Sequence, residues 1–407
     1  MNSPSNGPCV RDERTRMSRP LLSIVVPSCN RQTTLLPVLA TLAAETAAEL
    51  VVSDNSDVPL TEEVLRGLGA GDRLLYHHWS ERLSVVDNFE RGLAMATGEY
   101  LLFIGDDDCV GPGIDAIAAW MKREDIDALV SYRSRFIASY FWPGVKSRYF
   151  GDGYQGKLFL SPSSGRAFPI DKRAALAGAA DRPGTGLNDM ARAYHGIVSR
   201  VLVDRVAARF GRLFGGVSPD IYSATLLTHL AAKPWILDYP FVVPGASPPS
   251  TSGELMARED TDKLDAREHI KRFGAGLRWD ERVPSFYSPD TVWAFSHQSA
   301  LDRLGVPGLT LNFPRLYLRC ALMHRRHHAE TLAALRAWRG TNSLARLLLG
   351  IARGFLAEAA GQVRRVWFRF VTPPKAYADL ATIGDAYLVL REQLKPWTPP
   401  ASPSDAA

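Results

Sequence analysis

The sequence predicts an α/β fold, a mostly parallel sheet flanked by helices, with a helical extension at the C-terminus. Three observations carry this. Apolar and β-branched runs alternate with stretches of helical period from Leu21 to Val130, the pattern of strand–helix–strand crossovers. Polar clusters at Asn30-Arg31, Asp54-Asn55 and Asp106 to Asp108 each follow such a run. In a parallel sheet those strand ends share one edge, where open α/β sheets place their ligands. From Leu255 onward the pattern is largely helical.

In chain order, Leu21 to Val26 is a β-branched run stopped by Pro27, a strand and then a loop. Thr33 to Ala48 reads as a helix, and Leu50 to Ser53 as a second buried strand ending at Asp54-Asn55-Ser56-Asp57. Thr61 to Leu68 is a short helix with an acidic first turn, and Arg73 to His77 a third strand. Ser84 opens a helix whose apolar positions Val85, Phe89, Leu93 and Ala96 keep helical spacing, with Gly98 ending it. Tyr100 to Ile104 is a strand apolar on both faces, running straight into three carboxylates. A helix from Ile114 to Lys122, a strand at Ala128 to Val130, and a helical run from Pro219 through Leu230 follow. Pro244 to Gly253, rich in Pro, Ser and Gly, reads as a loop over or beside the site.

The 407 residues suggest a disordered tail at 1–19, a main unit at 20–245 with halves 20–130 and 131–245, and a loop and helical linker at 246–310. A basic helical region at 311–395 and a disordered tail at 396–407 complete the expectation. Four scattered cysteines form no C-x-x-C pair, which argues against a zinc site or disulfide scaffold and suits a cytoplasmic chain. Met1 to Arg19 shows no secretory signal, and no apolar run is long enough to span a bilayer. Net charge is +5, concentrated between Arg319 and Phe370. The stripes Leu344-Leu347-Leu348-Ile351-Phe355 and Val363-Val366-Trp367-Phe370, flanked by arginines, suit either packing on the main unit or peripheral contact with an anionic membrane surface. No nucleic acid is expected, because no recognised module accompanies the charge.

No Lys or Arg lies between Arg91 and Lys122, so Asp106, Asp107 and Asp108 have no cationic neighbour in sequence. Adjacent carboxylates stay ionised together only around a cation or in full solvation, leaving a metal site or a solvated turn. Neither G-x-G-x-x-G nor G-x-x-x-x-G-K-[ST] is present to bind phosphates through a glycine-rich loop.

Three motifs in order, Leu22 to Arg31, Val51 to Ser56, and Asn88-Phe89 through Gly98-Glu99-Tyr100 to Asp106-Asp107-Asp108, resemble the GT-A glycosyltransferases of family 2. The resemblance covers about residues 20–130, with a weaker match around Asp220. Cys29 departs from the family's usual aromatic residue, and Gly105 stands where many members have the first acid of their Asp-x-Asp signature. The resemblance implies an inverting transfer from a nucleotide-diphosphate sugar to a saccharide or lipid-linked acceptor, in surface polysaccharide or glycoconjugate assembly. Pro27, Asn30, Arg31, Asp54, Asn55 and Asp106 would meet the donor, with Asp54 accepting from the base. Asp107 and Asp108 would hold Mn²⁺ or Mg²⁺, although which two of the three acids do so stays open.

Asp220, at the start of its helix, is the candidate base, with Asp189 in reserve. The aromatic and basic stretch Tyr132 to Tyr154 suits an acceptor sugar, a lipid-linked sugar or plain core, and His195 an acceptor-site wall, a metal ligand, or a satisfied core or surface residue. His324, His327 and His328 share a helical face, but among arginines that would repel a cation. Rival readings are a sugar nucleotidyltransferase, which should show a basic Gly-rich loop near Pro27, and a non-catalytic scaffold or membrane-surface adaptor.

Overall fold

Isoleucine and valine at alternating and successive positions of Leu22–Ser28 (β1) pack on both faces of the sheet, and all but one of its residues are buried. The computed structural model describes residues 19–131, 137–147, 150–250, 263–264, 268–371, 373–395 and 397–399. The tails expected to be disordered fall mostly outside them, as do parts of the aromatic stretch from Tyr132. After β1 come α1 (Gln32–Glu45), β2 (Glu49–Asp54), α2 (Glu62–Gly67), β3 (Leu74–His78), α3 (Val85–Met95), β4 (Tyr100–Phe103) and β5 (Cys109–Val110). The chain continues through α4 (Ile114–Arg123), β6 (Ala128–Val130), β7 (Ala138–Phe141), β8 (Lys157–Leu160), β9 (Ala167–Pro169) and α5 (Lys172–Asp181). Then follow β10 (Gly196–Ser199), α6 (Arg200–Phe210), α7 (Pro219–Leu230), β11 (Pro234–Leu237), β12 (Val242–Val243) and β13 (Gly245–Ala246). The rest is α8 (Pro289–Leu304), α9 (Phe313–Met323), α10 (His328–Arg339), α11 (Leu344–Val371), β14 (Lys375–Tyr377) and α12 (Ile383–Gln393).

The main sheet has the order β3-β2-β1-β4-β10-β6-β11-β9. Its first four strands are parallel; β10 enters antiparallel between β4 and β6, and β9 closes the far edge antiparallel. Helices cover both faces, so the predicted class is the observed one. One large core lies under α1, α4 and α12, a second under α3, α6, α7, α8 and α9, and a smaller third joins α5, α7 and β11.

Several local expectations change. Gly98 does not end α3, which ends at Met95 with Ala96 as its cap. A Cβ at Gly98 would stand 2.5 Å from the Ser23 hydroxyl, and its N–H donates to that oxygen at 2.7 Å; close approach explains the glycine. The C-terminal region is not wholly helical, because β14 pairs with β8 at the edge of a second sheet of order β13-β7-β8-β14. Trp397, expected in a disordered tail, is buried edge-on against Trp120 with 5.4 Å between ring centroids. His324, His327 and His328 share no helix face: His324 ends α9, His327 closes a 3-10 turn and His328 starts α10.

Candidate active site

β4 ends at Phe103, and the turn that follows folds the three acids inward, with Asp106, Asp107 and Asp108 all less than 5% exposed. Burial forces every carboxylate to find partners. Asp106 accepts from Ser28 Oγ at 2.7 Å and pairs with Arg31 at 3.2 Å, tying the β1 loop to the cluster. Asp108 accepts from the Gly105 N–H at 2.6 Å, Tyr194 Oη at 3.0 Å and the Gly245 N–H at 2.7 Å, and lies 2.6 Å from His195 Nε2. Asp107 accepts from the Ser247 N–H at 3.0 Å and Oγ at 2.6 Å through Oδ2; among the described residues nothing donates to its Oδ1.

These surroundings separate the three acids. Burial pushes Asp106 above the usual carboxylate range even beside Arg31. Burial, then the charges of Asp108 and Asp106, push Asp107 up to about 7. Burial acts on Asp108 too, but His195 and the N–H groups of Gly245 and Gly105 outweigh it and hold that acid low. Arg31 rises above its ordinary value because Asp106 and Asp107 outweigh its own burial.

Two tertiary contacts fix this floor. Gly245 in β13 lies so close that a Cβ there would stand 1.7 Å from the Asp107 carbonyl oxygen, which also accepts from Trp142 Nε1 at 2.8 Å. His195 sits in the left-handed region, φ 59°, and its N–H donates to the Phe103 carbonyl at 2.9 Å, holding it beside the end of β4.

The acids open into a cavity of about 1890 Å³. The sequence-predicted Pro27, Asn30, Arg31, Asn55, Asp106, Asp107, Asp108 and Asp220 all line it. Asp54 does not. It is fully buried behind the wall, accepting from Ser56 N–H at 2.9 Å and Oγ at 2.5 Å and from Tyr76 Oη at 2.7 Å. So held, Asp54 buttresses the loop from behind the cavity wall. Asn55 is also occupied, donating to the Trp79 and Glu81 carbonyls and accepting from the Leu83 N–H and Arg272. Asn30 bridges to Asp57 through its side chain, and Arg31 spans from Asp106 to the Pro249 carbonyl, to which its second terminal nitrogen donates at 2.7 Å. Asn88 is buried and links Ser53 to the Ser28 carbonyl.

Asp220 begins α7 after Ser218 and Pro219, with its Oδ1 accepting from Ser218 Oγ at 2.6 Å and the Ile221 N–H at 2.8 Å. Burial raises its proton affinity against those bonds and against His195, which suits a proton acceptor. Asp189 does not line the cavity.

Sequence reasoning missed Gly245 and Ser247 as partners of the acids, Arg272 on the donor-side wall, and a charged wall opposite. There Asp290 pairs with Arg319 at 2.8 Å and His324 at 2.9 Å, and Arg319 and Arg315 share Glu358. No spacing signals these contacts, which join segments far apart in the chain. Only the expectation of a Ser-rich loop over the site pointed toward Ser247. Among the described residues, no three His, Cys, Asp or Glu side chains converge as a metal site.

Residues 23–175 match the family model described as Glycosyl transferase family 2. A PGL/p-HBAD biosynthesis glycosyltransferase of Mycobacterium tuberculosis is 33% identical over 120 residues, 28% of this chain and 46% of that protein, and one of Mycobacterium bovis matches equally. The chain thus spans about half the length of these curated relatives. Among solved structures, S. aureus TarS 1-349 in complex with UDP-GlcNAc gives a TM-score of 0.42 at 13% identity, covering 79% of this chain and 93% of that one. The mannosyltransferase PcManGT from Pyrobaculum calidifontis, in complex with GDP-Man and Mn²⁺, gives 0.37 at 17% identity, covering 93% and 87%. Likeness at that level says nothing about this chain's substrates.

Proposed function

We propose, from the match of residues 23–175 to the glycosyltransferase family 2 model, that the chain transfers a sugar from a nucleotide-diphosphate sugar to a hydroxyl acceptor, with inversion. The observation that carries the reading is the buried acid triplet at the end of β4, facing Asp220 across one cavity. That cavity exceeds the roughly 300–1,000 Å³ usual for one small ligand, leaving room for donor and acceptor together.

Arg31 and the β1 loop border the donor, with Pro27, Asn30 and Asn55 shaping the wall and Asp54 holding that wall from behind. Asp220 accepts the acceptor hydroxyl's proton as the oxygen attacks the anomeric carbon from the face opposite the leaving group. The carbon–oxygen bond to the diphosphate breaks, and the nucleoside diphosphate departs with that electron pair. A single displacement of this kind inverts the anomeric centre.

The donor set suits Mn²⁺ or Mg²⁺. Three adjacent buried carboxylates outnumber Arg31 and His195, and Asp107 Oδ1 accepts no hydrogen bond among the described residues. Asp107 and Asp108 are the proposed ligands, Asp107 through its free Oδ1, with donor phosphates and water completing the shell. Bound there, the cation would offset charge developing on the leaving diphosphate. Acceptors are proposed to be saccharides or lipid-linked sugars of surface polysaccharide or glycoconjugate assembly; the mycobacterial relatives are named for PGL/p-HBAD biosynthesis.

The test is calorimetric titration with UDP-, GDP-, dTDP- and CMP-sugars, with and without Mn²⁺. One nucleotide-diphosphate sugar should bind in a metal-dependent way, and Asp107→Ala should abolish it while the protein stays folded. Binding that ignores both the metal and Asp107 would sink the proposed site.

A further inference from the structure

The outer half of α11 is apolar and bare. At 3.6 residues per turn, Leu344, Leu348, Phe355, Val363, Trp367 and Phe370 fall within an arc of about 140°, and each is between 54% and 78% exposed. A run of large exposed apolar side chains along a helix of about 42 Å is a continuous patch of the kind that marks an interaction surface. The opposite arc is committed to the protein. Leu347 is buried, Gly350 and Gly354 let the helix close on Pro314 and Arg315, and Glu358 takes Arg315 and Arg319.

Charge decides what covers the outer arc. The helix sequence carries five arginines and one acid, Glu358, and that acid is turned inward. Arg346 and Arg353 are exposed beside the arc. Two copies meeting face to face would bring like charges together, whereas a layer of lipid phosphates would neutralise them. No helix among the described residues is long and apolar enough to cross a membrane, so such a helix would lie flat, apolar arc down. We propose that α11 docks along the surface of an anionic phospholipid bilayer, its apolar arc at the acyl boundary and Arg346 and Arg353 at the headgroup phosphates.

Because Glu358 joins α11 to Arg319, and Arg319 pairs with the cavity-wall Asp290, the docked helix would hold the cavity at a fixed distance from the lipid. This inference stands on the helix alone and needs neither donor nor turnover.

The test is vesicle flotation of the full chain, using phosphatidylcholine alone and phosphatidylcholine mixed with phosphatidylglycerol. Partitioning should favour the mixed vesicles by about tenfold or more and weaken as salt rises. Phe355→Glu with Val363→Glu should abolish it; Arg346→Glu with Arg353→Glu should remove the preference for anionic lipid. All four positions are exposed, and far-UV circular dichroism verifies that the variants fold. Wild-type protein that ignores both vesicles overturns the proposal, as does partitioning untouched by the apolar double variant. A lipid-free dimer in sedimentation, dissolved by Phe355→Glu with Val363→Glu, would also overturn it by assigning the arc to a second copy.

Discussion

Asp220 and Asp189 both sit near turns in the acceptor half, and only their surroundings tell them apart. Asp220 lines the cavity and has its proton affinity raised by burial; Asp189 lies off the wall. A general base contributes about 10²–10⁴-fold, so Asp220→Asn should lower kcat by that factor. The donor affinity should stay within about twofold, since the amide keeps the Ile221 N–H bond and removes only the proton acceptor. Asp189→Asn should leave turnover near that of the wild type. Steady-state rates for the two variants, with donor affinity measured by calorimetry, decide between them; equal losses would remove Asp220 from its role. At this scale the sequence was legible where residues adjoin. Three consecutive acids announce themselves, and so does an acid after Ser-Pro at a helix start. The partners that separate Asp107 from Asp108, which are Ser247, Gly245, Tyr194 and His195, are 86 to 140 positions away and carry no local signature. Asp54 shows the same limit: its strand-end position was visible, and its bonds to Ser56 and Tyr76 were only partly so.

Elements of the N-terminal half were legible because periodicity and end signals agree there. Ser84 accepts from the Asp87 N–H as an N-cap, Thr61 from that of Val64, and β1, β2 and β4 each carry a buried apolar run, at Ile24 to Val26, Leu50 to Val52 and Tyr100 to Phe103. The short strands were not. β5, β12 and β13 are two residues each, too short to show any period, and they exist because neighbouring backbone is there to pair with. β13 matters most for the site. It sets the Gly245 N–H on Asp108 and delivers Ser247 to Asp107, at a spacing that leaves no room for a side chain. Gly245→Ala should therefore push β13 off the acids and cost about 1–3 kcal/mol, the usual range for overpacking. Urea denaturation measures that loss. Metal-dependent donor binding should fall further than stability alone explains, because the Asp107 and Asp108 bonds open together. Full donor affinity in a destabilised variant would show that β13 supports the fold and not the site.

Over the whole molecule, the C-terminal region returns to the N-terminal sheet and does not stand apart as a separate helical unit. Ile383, Ala386, Tyr387 and Leu390 of α12 share a core with Leu35, Val38 and Leu39 of α1, and Trp397 seals it against Trp120. Such contacts join residues more than 250 positions apart, and no window of sequence reveals them. Global stability consequently gathers contributions from buried groups far from the site, and pH can separate two of them. His297 in α8 is buried, its Nε2 without a hydrogen-bond partner among the described residues, and burial lowers its pKa to about 4. An unfolded chain takes up that proton near pH 6.5, so the folded state loses stability as pH falls from about 6.5 toward 4, by roughly 1.4 kcal/mol per unit. Asp107 acts with the opposite sign. Its affinity is raised to about 7, so without a cation the folded state gains stability as pH falls through that value toward the unfolded acid's own pKa. The two slopes oppose each other over the same window, and a wild-type curve alone can look flat. The difference between wild type and His297→Leu isolates the histidine. Relative to wild type, the variant should gain on the order of 2 kcal/mol between pH 6.5 and pH 5, read from urea midpoints at each pH. A difference that stays constant over that range would mean that His297 finds a proton acceptor when charged, and that its burial carries no acid-side penalty.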